Sequence, residues 1–285
     1  MVPGPNSLYL KPKTLDEAVS LLATSGGQIL AGGTDFYPAL GERSPRWTVV
    51  DITALAEIRG IEFESEWIRI GGLSTWSDVI RTPLPRCFDA LKAAAREVGS
   101  VQIQNRGTVA GNLCNASPAA DGVPPLLALD AEVELASAAG RRRMPLEQFL
   151  AGNRKTLRRA DEILAAVLVP RRMEDAASIF LKLGVRRYLV ISISMVAAVV
   201  QSDQAGRIAE ARVAVGSCSA KAQRLRDLEK SLVGLPAGAG IAAAVRAEHL
   251  GILSPIADVR ATADYRRDAS LTLVQRALEA CVGSR

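Results

Sequence analysis

The chain has 285 residues, with 35 Lys and Arg against 30 Asp and Glu, a formal net charge of +5, and one histidine. Hydrophobic residues make up 48% and aromatic residues 4%, the balance of a globular protein of one or two domains. A single His argues against a multi-histidine metal site or a Ser-His-Asp enzyme. Four cysteines without a CxxC spacing give no sign of a zinc ribbon, a redox dithiol or a cysteine-held cluster.

Residues 1–6 show neither a basic n-region nor an apolar h-region, so no leader is expected. The longest apolar run, 189–200, is broken by Ser192 and Ser194 and is shorter than the ~20 residues of a membrane helix. These features predict a reduced, cytoplasmic protein without a membrane span.

The first fifty residues read as a β-α-β unit. A short strand at 8–10 is followed by a capping box, Thr14 to Glu17. Leu15, Ala18, Leu21 and Leu22 then share one helical face, and Gly26-Gly27 stops the helix. A buried strand at 28–31 runs into Gly32-Gly33, a second helix starts near Asp35, and a strand follows at 47–51.

Residues 67–70 alternate as a strand, 74–80 read as a capped helix start, and 89–98 as an Ala-rich helix. No period holds from 104 to 125, although Val109, Leu113 and Val123 argue against disorder. Strands are expected at 132–136 and 163–169. Beyond a boundary near 171–176 come three strands (178–185, 189–201, 208–217) and three helices (222–233, 241–251, 264–282). Strands followed by helices suggest a separate α+β domain.

Two segments carry candidate chemistry. Ala31-Gly32-Gly33-Thr34-Asp35 sits between strand and helix, where two glycines can turn successive amides inward as an anion-binding nest. Asn105-Arg106-Gly107-Thr108-Val109-Ala110-Gly111-Asn112, continued by Ala116-Ser117-Pro118-Ala119-Ala120-Asp121, offers glycines for a flat ligand and fixed polar groups beside them. A plain turn and a structural Ω-loop are the competing readings.

Gly238-x-Gly240-x-x-Ala243 matches a loose dinucleotide pattern but follows no strand. His249, in the last turn of its expected helix, suits a dipole partner, and Cys114 a small packed residue. Arg141-Arg142-Arg143, with Arg154, Lys155, Arg158 and Arg159 behind it, reads as a solvated face or a protein docking surface. Without interleaved aromatics it does not suggest nucleic-acid binding.

The two glycine loops, in this order, resemble the FAD-binding medium subunits of the molybdenum hydroxylases. Further matching text is Ile70-Gly71-Gly72-Leu73-Ser74-Thr75-Trp76 and Pro124-Pro125-Leu126-Leu127-Ala128-Leu129-Asp130-Ala131. Weaker echoes stand at Asp161-Glu162-Ile163-Leu164 and Lys182-Leu183-Gly184-Val185-Arg186-Arg187. The likeness spans essentially the whole chain.

The resemblance implies an α+β fold. Two N-terminal α/β FAD-binding subdomains of PCMH type, about 1–55 and 56–175, would precede a C-terminal domain, 176–285, of three-stranded antiparallel sheet plus helices. It implies that Ala31, Gly32, Gly33, Thr34 and Asp35 hold the FAD pyrophosphate. Gly107, Thr108, Val109, Ala110, Gly111 and Asn112 would form a second cofactor loop. Ser117 and Asp121 would lie near the flavin and ribityl chain, and Leu164 and Lys182 beside the isoalloxazine. Lys182 would offset the negative charge of the reduced ring. The family commonly has a glycine pair where this chain has Ala110-Gly111, which puts one extra methyl group against the flavin or its loop.

The FAD would be non-covalent and no residue of this chain a general acid or base. A small subunit with two [2Fe-2S] clusters and a large subunit with the molybdenum cofactor would complete a dimer of heterotrimers, passing electrons to an external acceptor. A self-contained oxidase of the vanillyl-alcohol-oxidase type is the alternative, and a basic binding module without cofactor a third reading.

Overall fold

A computed structural model describes residues 8–283; the segment read for a leader, residues 1–6, lies outside them. The fold is mixed α+β, built on three main sheets. The first is parallel, in the order β1 (Tyr9–Leu10), β3 (Val49–Asp51), β2 (Gln28–Leu30). Helix Leu15–Ser25 connects β1 to β2. The Thr14 hydroxyl caps it by accepting from the Glu17 amide at 3.2 Å. Glu17 reaches back to the amide of Lys13 at 2.8 Å, one residue beyond the Thr14 amide that a reciprocal box would use.

The second sheet is antiparallel, in the order β4 (Ile61–Phe63), β5 (Trp67–Gly71), β10 (Ile163–Pro170), β6 (Glu132–Ser137), β7 (Gly140–Pro145). Between β7 and β10 lies a small ribbon of β8 (Leu150–Gly152) and β9 (Lys155–Thr156). Central strand β10 is buried from Ile163 to Val169, as its unbroken apolar sequence requires. Its pairing with β6 slips by one residue between Leu164 and Ala166. Such a bulge re-aims the side chains beside it.

The basic run 141–143 is edge strand β7, and its arginines are ion-paired. Arg141 and Arg143, together with Arg69, converge on Glu134 at 2.9–3.3 Å, and Arg142 grips Glu162 at 2.6 and 2.9 Å. Arg141 and Arg143 still face solvent along the sheet edge, where charge discourages pairing with another chain.

The segment 104–125, in which the sequence shows no period, holds two short helices. Val109–Asn115 begins at Thr108, whose hydroxyl accepts from the Gly111 amide at 2.9 Å, and ends at Ala116 with φ 46°. Val123–Ala128 opens with Pro124 and Pro125, tolerated in a first turn because those amides have no helical partner. A period of 3.6 cannot show itself over six or seven residues.

The third sheet is antiparallel: β11 (Ala177–Leu183), β12 (Ser194–Ser202), β13 (Ile208–Gly216) and a two-residue fourth strand, β14 (Gln223–Arg224). Residues 189–193, expected at the start of β12, lie outside the ladder. Helix Ala263–Gly283 covers one face of this sheet. The expected helix at 241–251 is instead two 3-10 turns, Ile241–Ala244 and Ala247–Leu250, with Val245 and Arg246 extended between them. His249 therefore caps a turn, its Nδ1 accepting from the Arg246 amide at 3.1 Å, and serves no helix dipole.

Three hydrophobic cores result. One lies between the first sheet and β10, one between the third sheet and the C-terminal helix. The largest is shared: Phe180, Met195, Ala197, Val199 and Ala214 of the third sheet join Ile68, Trp76, Leu91, Leu113 and Val167 of the preceding half. Helix Asp89–Glu97 packs on β11, and helix Val123–Ala128 on β12 and β13.

Candidate functional site

A cleft of about 650 Å³ opens between the first sheet and the second, within the usual range for small-molecule sites. The segment 31–35 forms one wall. The turn at 107–108 and helix Val109–Asn115 form the other. Leu164, at the bulge, and Trp76 add apolar surface.

The walls meet at Gly32. A Cβ there would stand 2.0 Å from the Arg106 carbonyl oxygen and 2.8 Å from its carbon, so only glycine permits the approach. Gly33, at φ +80°, turns the chain beneath the Tyr37 ring. Among the described residues, no hydrogen bond is donated to another protein group by the amides of Gly32, Gly33 or Thr34. Three donors are thus left for a ligand, as an anion nest requires. On the facing wall the Asn112 Oδ1 is buried without a partner, a costly state that a bound donor would relieve.

Polar contacts also span the mouth. The Asn115 amide nitrogen donates to Asp35 Oδ1 at 3.0 Å, and its oxygen accepts from Arg154 at 2.5 Å. Cys114 lines the same wall, and burial pushes its thiol up to about 11, against the opposing charge of Arg158. It is therefore a neutral thiol near neutral pH and no nucleophile.

Of the residues singled out by sequence, Ala31, Gly32, Gly33, Thr34, Asp35, Gly107, Thr108, Ala110, Gly111, Asn112 and Leu164 line the cleft together. Ala110, 5% exposed, lines the wall and also packs in the core. Val109 points into the core. Ser117, Asp121 and Lys182 stand outside the lining. Ser117 closes a turn by accepting from the Ala119 amide at 3.3 Å. Lys182, on β11, pairs with Asp121 at 2.8 Å, and Ser192 donates to the other Asp121 oxygen at 2.9 Å. Burial pushes the Asp121 carboxyl up, opposed by Lys182 and by the Ser192 hydroxyl. The charge of Lys182 is thus spent on a buried ion pair joining the two halves of the chain. Sequence reasoning missed Arg158, which does line the cleft, because it sits inside a charge run.

Apolar residues beside unpartnered amides suit an amphiphilic ligand with an anionic segment, and a flavin dinucleotide is one. Comparison with known proteins points the same way. Residues 5–172 match the model of the FAD binding domain in molybdopterin dehydrogenase, and residues 179–281 that of the CO dehydrogenase flavoprotein C-terminal domain. The nicotinate dehydrogenase FAD-subunit of Eubacterium barkeri is 38% identical over 80% of both chains. A putative xanthine dehydrogenase FAD-binding subunit of Escherichia coli is 32% identical over 97% of this chain and 96% of its own. Among solved structures, carbon monoxide dehydrogenase from Hydrogenophaga pseudoflava superposes with a TM-score of 0.88 at 29% identity, covering 99% of both chains. Quinoline 2-oxidoreductase from Pseudomonas putida 86 gives 0.88 at 26%, also over 99% of both. By sequence and by fold, this chain belongs to the family of FAD-binding subunits of the molybdenum hydroxylases.

Proposed function

We propose that the chain carries FAD, non-covalently, as the electron-transfer subunit of a molybdenum hydroxylase. It would take electrons from [2Fe-2S] clusters on a small partner and hand them to an external acceptor, while a large partner holds the molybdenum cofactor. The observation that carries this reading is the cleft between the two glycine walls, with its unpartnered amides and the orphaned Asn112 oxygen. Bound FAD supplies the redox chemistry, and the protein supplies binding, orientation and electrostatics.

In this reading Ala31–Asp35 hold the diphosphate through backbone amides, and Thr108, Gly111, Asn112 and Leu164 hold the flavin side. Asp121 and Lys182 act from behind as positioning residues, fixing the loop that follows helix Val109–Asn115. Residues 1–175 form the cofactor-binding part and 176–285 the second unit; the two family matches, ending at 172 and resuming at 179, support that division. The name of a relative from Hydrogenophaga pseudoflava, carbon monoxide dehydrogenase medium chain, supports a multi-subunit assembly, here two copies of a three-subunit set. Four free cysteines suit the reducing cytoplasm.

Affinity purification of the chain from its native host tests the assembly. Two further polypeptides, iron and molybdenum should accompany it. A chain that purifies alone and oxidises a substrate unaided would overturn the reading in favour of a self-contained oxidase. Acid precipitation tests the mode of attachment. The flavin should pass entirely into the supernatant, since the one cysteine lining the cleft is a neutral thiol and His249 lies outside it. Flavin fluorescence remaining on the pellet would contradict this.

A further inference from the structure

Two ionisable charged side chains line the cleft, Asp35 and Arg158. The Asp35 carboxylate accepts from Asn115, which is itself held by Arg154. Arg158 has no carboxylate partner among the described residues. Its Nη1 donates to two main-chain carbonyls, Glu162 O at 2.7 Å and Arg159 O at 3.0 Å. A guanidinium held by carbonyls keeps its full charge.

Those bonds also fix where the charge stands. Glu162 immediately precedes Ile163, and Ile163 and Leu164 open β10 and both line the cleft. The guanidinium is therefore pinned, one hydrogen bond away, to the main chain that enters the wall around Leu164. Negative groups near this turn do not cancel it. The Glu162 carboxylate is committed to Arg142 at 2.6 and 2.9 Å and to the Arg159 amide at 2.7 Å. Cys114, which shares the cleft, is a neutral thiol.

The isoalloxazine ring of a flavin is neutral when oxidised. Uptake of two electrons and one proton leaves one negative charge on it, and a fixed cation beside the ring favours that state. Lys182, expected from sequence to act there, has its charge paired with Asp121. We infer that Arg158 supplies the positive charge beside the isoalloxazine and raises the reduction potential of the bound flavin. This rests on the FAD reading given above, in which Leu164 borders the flavin.

The experiment uses the whole chain loaded with FAD, and the readout is the midpoint potential from a spectroscopic redox titration. Arg158→Gln, which keeps a donor for the two carbonyls, and Arg158→Met should each shift the ratio of reduced to oxidised flavin about tenfold toward oxidised, a fall of about 30 mV. Arg158→Lys should restore most of the loss, and the affinity for oxidised FAD should stay within about threefold because the neutral ring gains little from the charge. Arg159→Gln is the control: it removes the same charge from an exposed neighbour that does not line the cleft, and it should leave the potential in place. An unchanged potential in both Arg158 variants would overturn the inference, as would an equal fall in Arg159→Gln, the mark of net charge alone. A wild-type chain that takes up no FAD would overturn the FAD reading and this inference with it, which separates the two failures.

Discussion

Valine in place of Gly32 should empty the cleft. FAD content is expected to fall from about one per chain to below about a tenth, with a loss of affinity of at least ~100-fold, or about 2.8 kcal/mol. The Cβ would enter the Arg106 carbonyl group, at 2.0 Å from its oxygen, and main chain cannot swing aside as a flexible side chain can. Overpacking ordinarily costs about 1–3 kcal/mol, so the walls should part while the rest of the chain stays folded. The control is Gly238→Ala, because a Cβ at Gly238 meets nothing within 4 Å. Fluorescence titration and a thermal melt of both variants give the answer. A G32V protein that retains wild-type flavin content would remove this wall from the site.

The second large effect is on stability. Arg224 is 3% exposed and binds Glu229 through two bonds of 2.6 and 2.8 Å, while its Nη1 donates to Leu127 O at 2.8 Å and Asp130 at 2.6 Å. Glu229 in turn accepts from the Val213 amide at 2.9 Å, and Asp130 is also bound by Arg212 and Arg172. These cations hold the Asp130 carboxyl below the usual carboxylate range against the opposing effect of its burial. Arg224→Met should cost about 3–5 kcal/mol in urea unfolding, because it strands the Glu229 charge in the interior. Arg224→Met combined with Glu229→Met should recover much of that loss, since neither charge is then left unpaired. If the double variant is as unstable as the single one, the stranded charge is not the cause.

Local signals carried much of this fold. The Thr14 cap, the apolar face from Leu15 to Leu22 and the Gly26 stop define their helix within a dozen residues. The two glycine loops stand out because the backbone paths they take exclude other side chains, most clearly at Gly32. What escaped the sequence depends on distant partners. Strand β7 shows no alternation of polar and apolar residues; it is a strand because its arginines meet Glu134 and Glu162. Residues 241–251 are rich in helix-forming alanine, yet Val245 and Leu250 are both buried only when the chain extends between two turns, and packing overrides propensity. Asp121 and Lys182 are 61 positions apart, and nothing local announces that each would spend its charge on the other. Arg158 is one arginine in a crowded run until the carbonyls of its own turn fix it in the cleft.

The shared core gives the two matched regions a common fate. Phe180, Met195, Ala197, Val199 and Ala214 belong to the same core as Trp76 and Leu113, and Trp76 is also part of the cofactor cleft. The halves are matched by two separate family models, yet they share one core. Unfolding of either would strip apolar surface from the other, so the chain is expected to melt in a single transition, and the shape of the cleft is tied to the integrity of a sheet that does not line it.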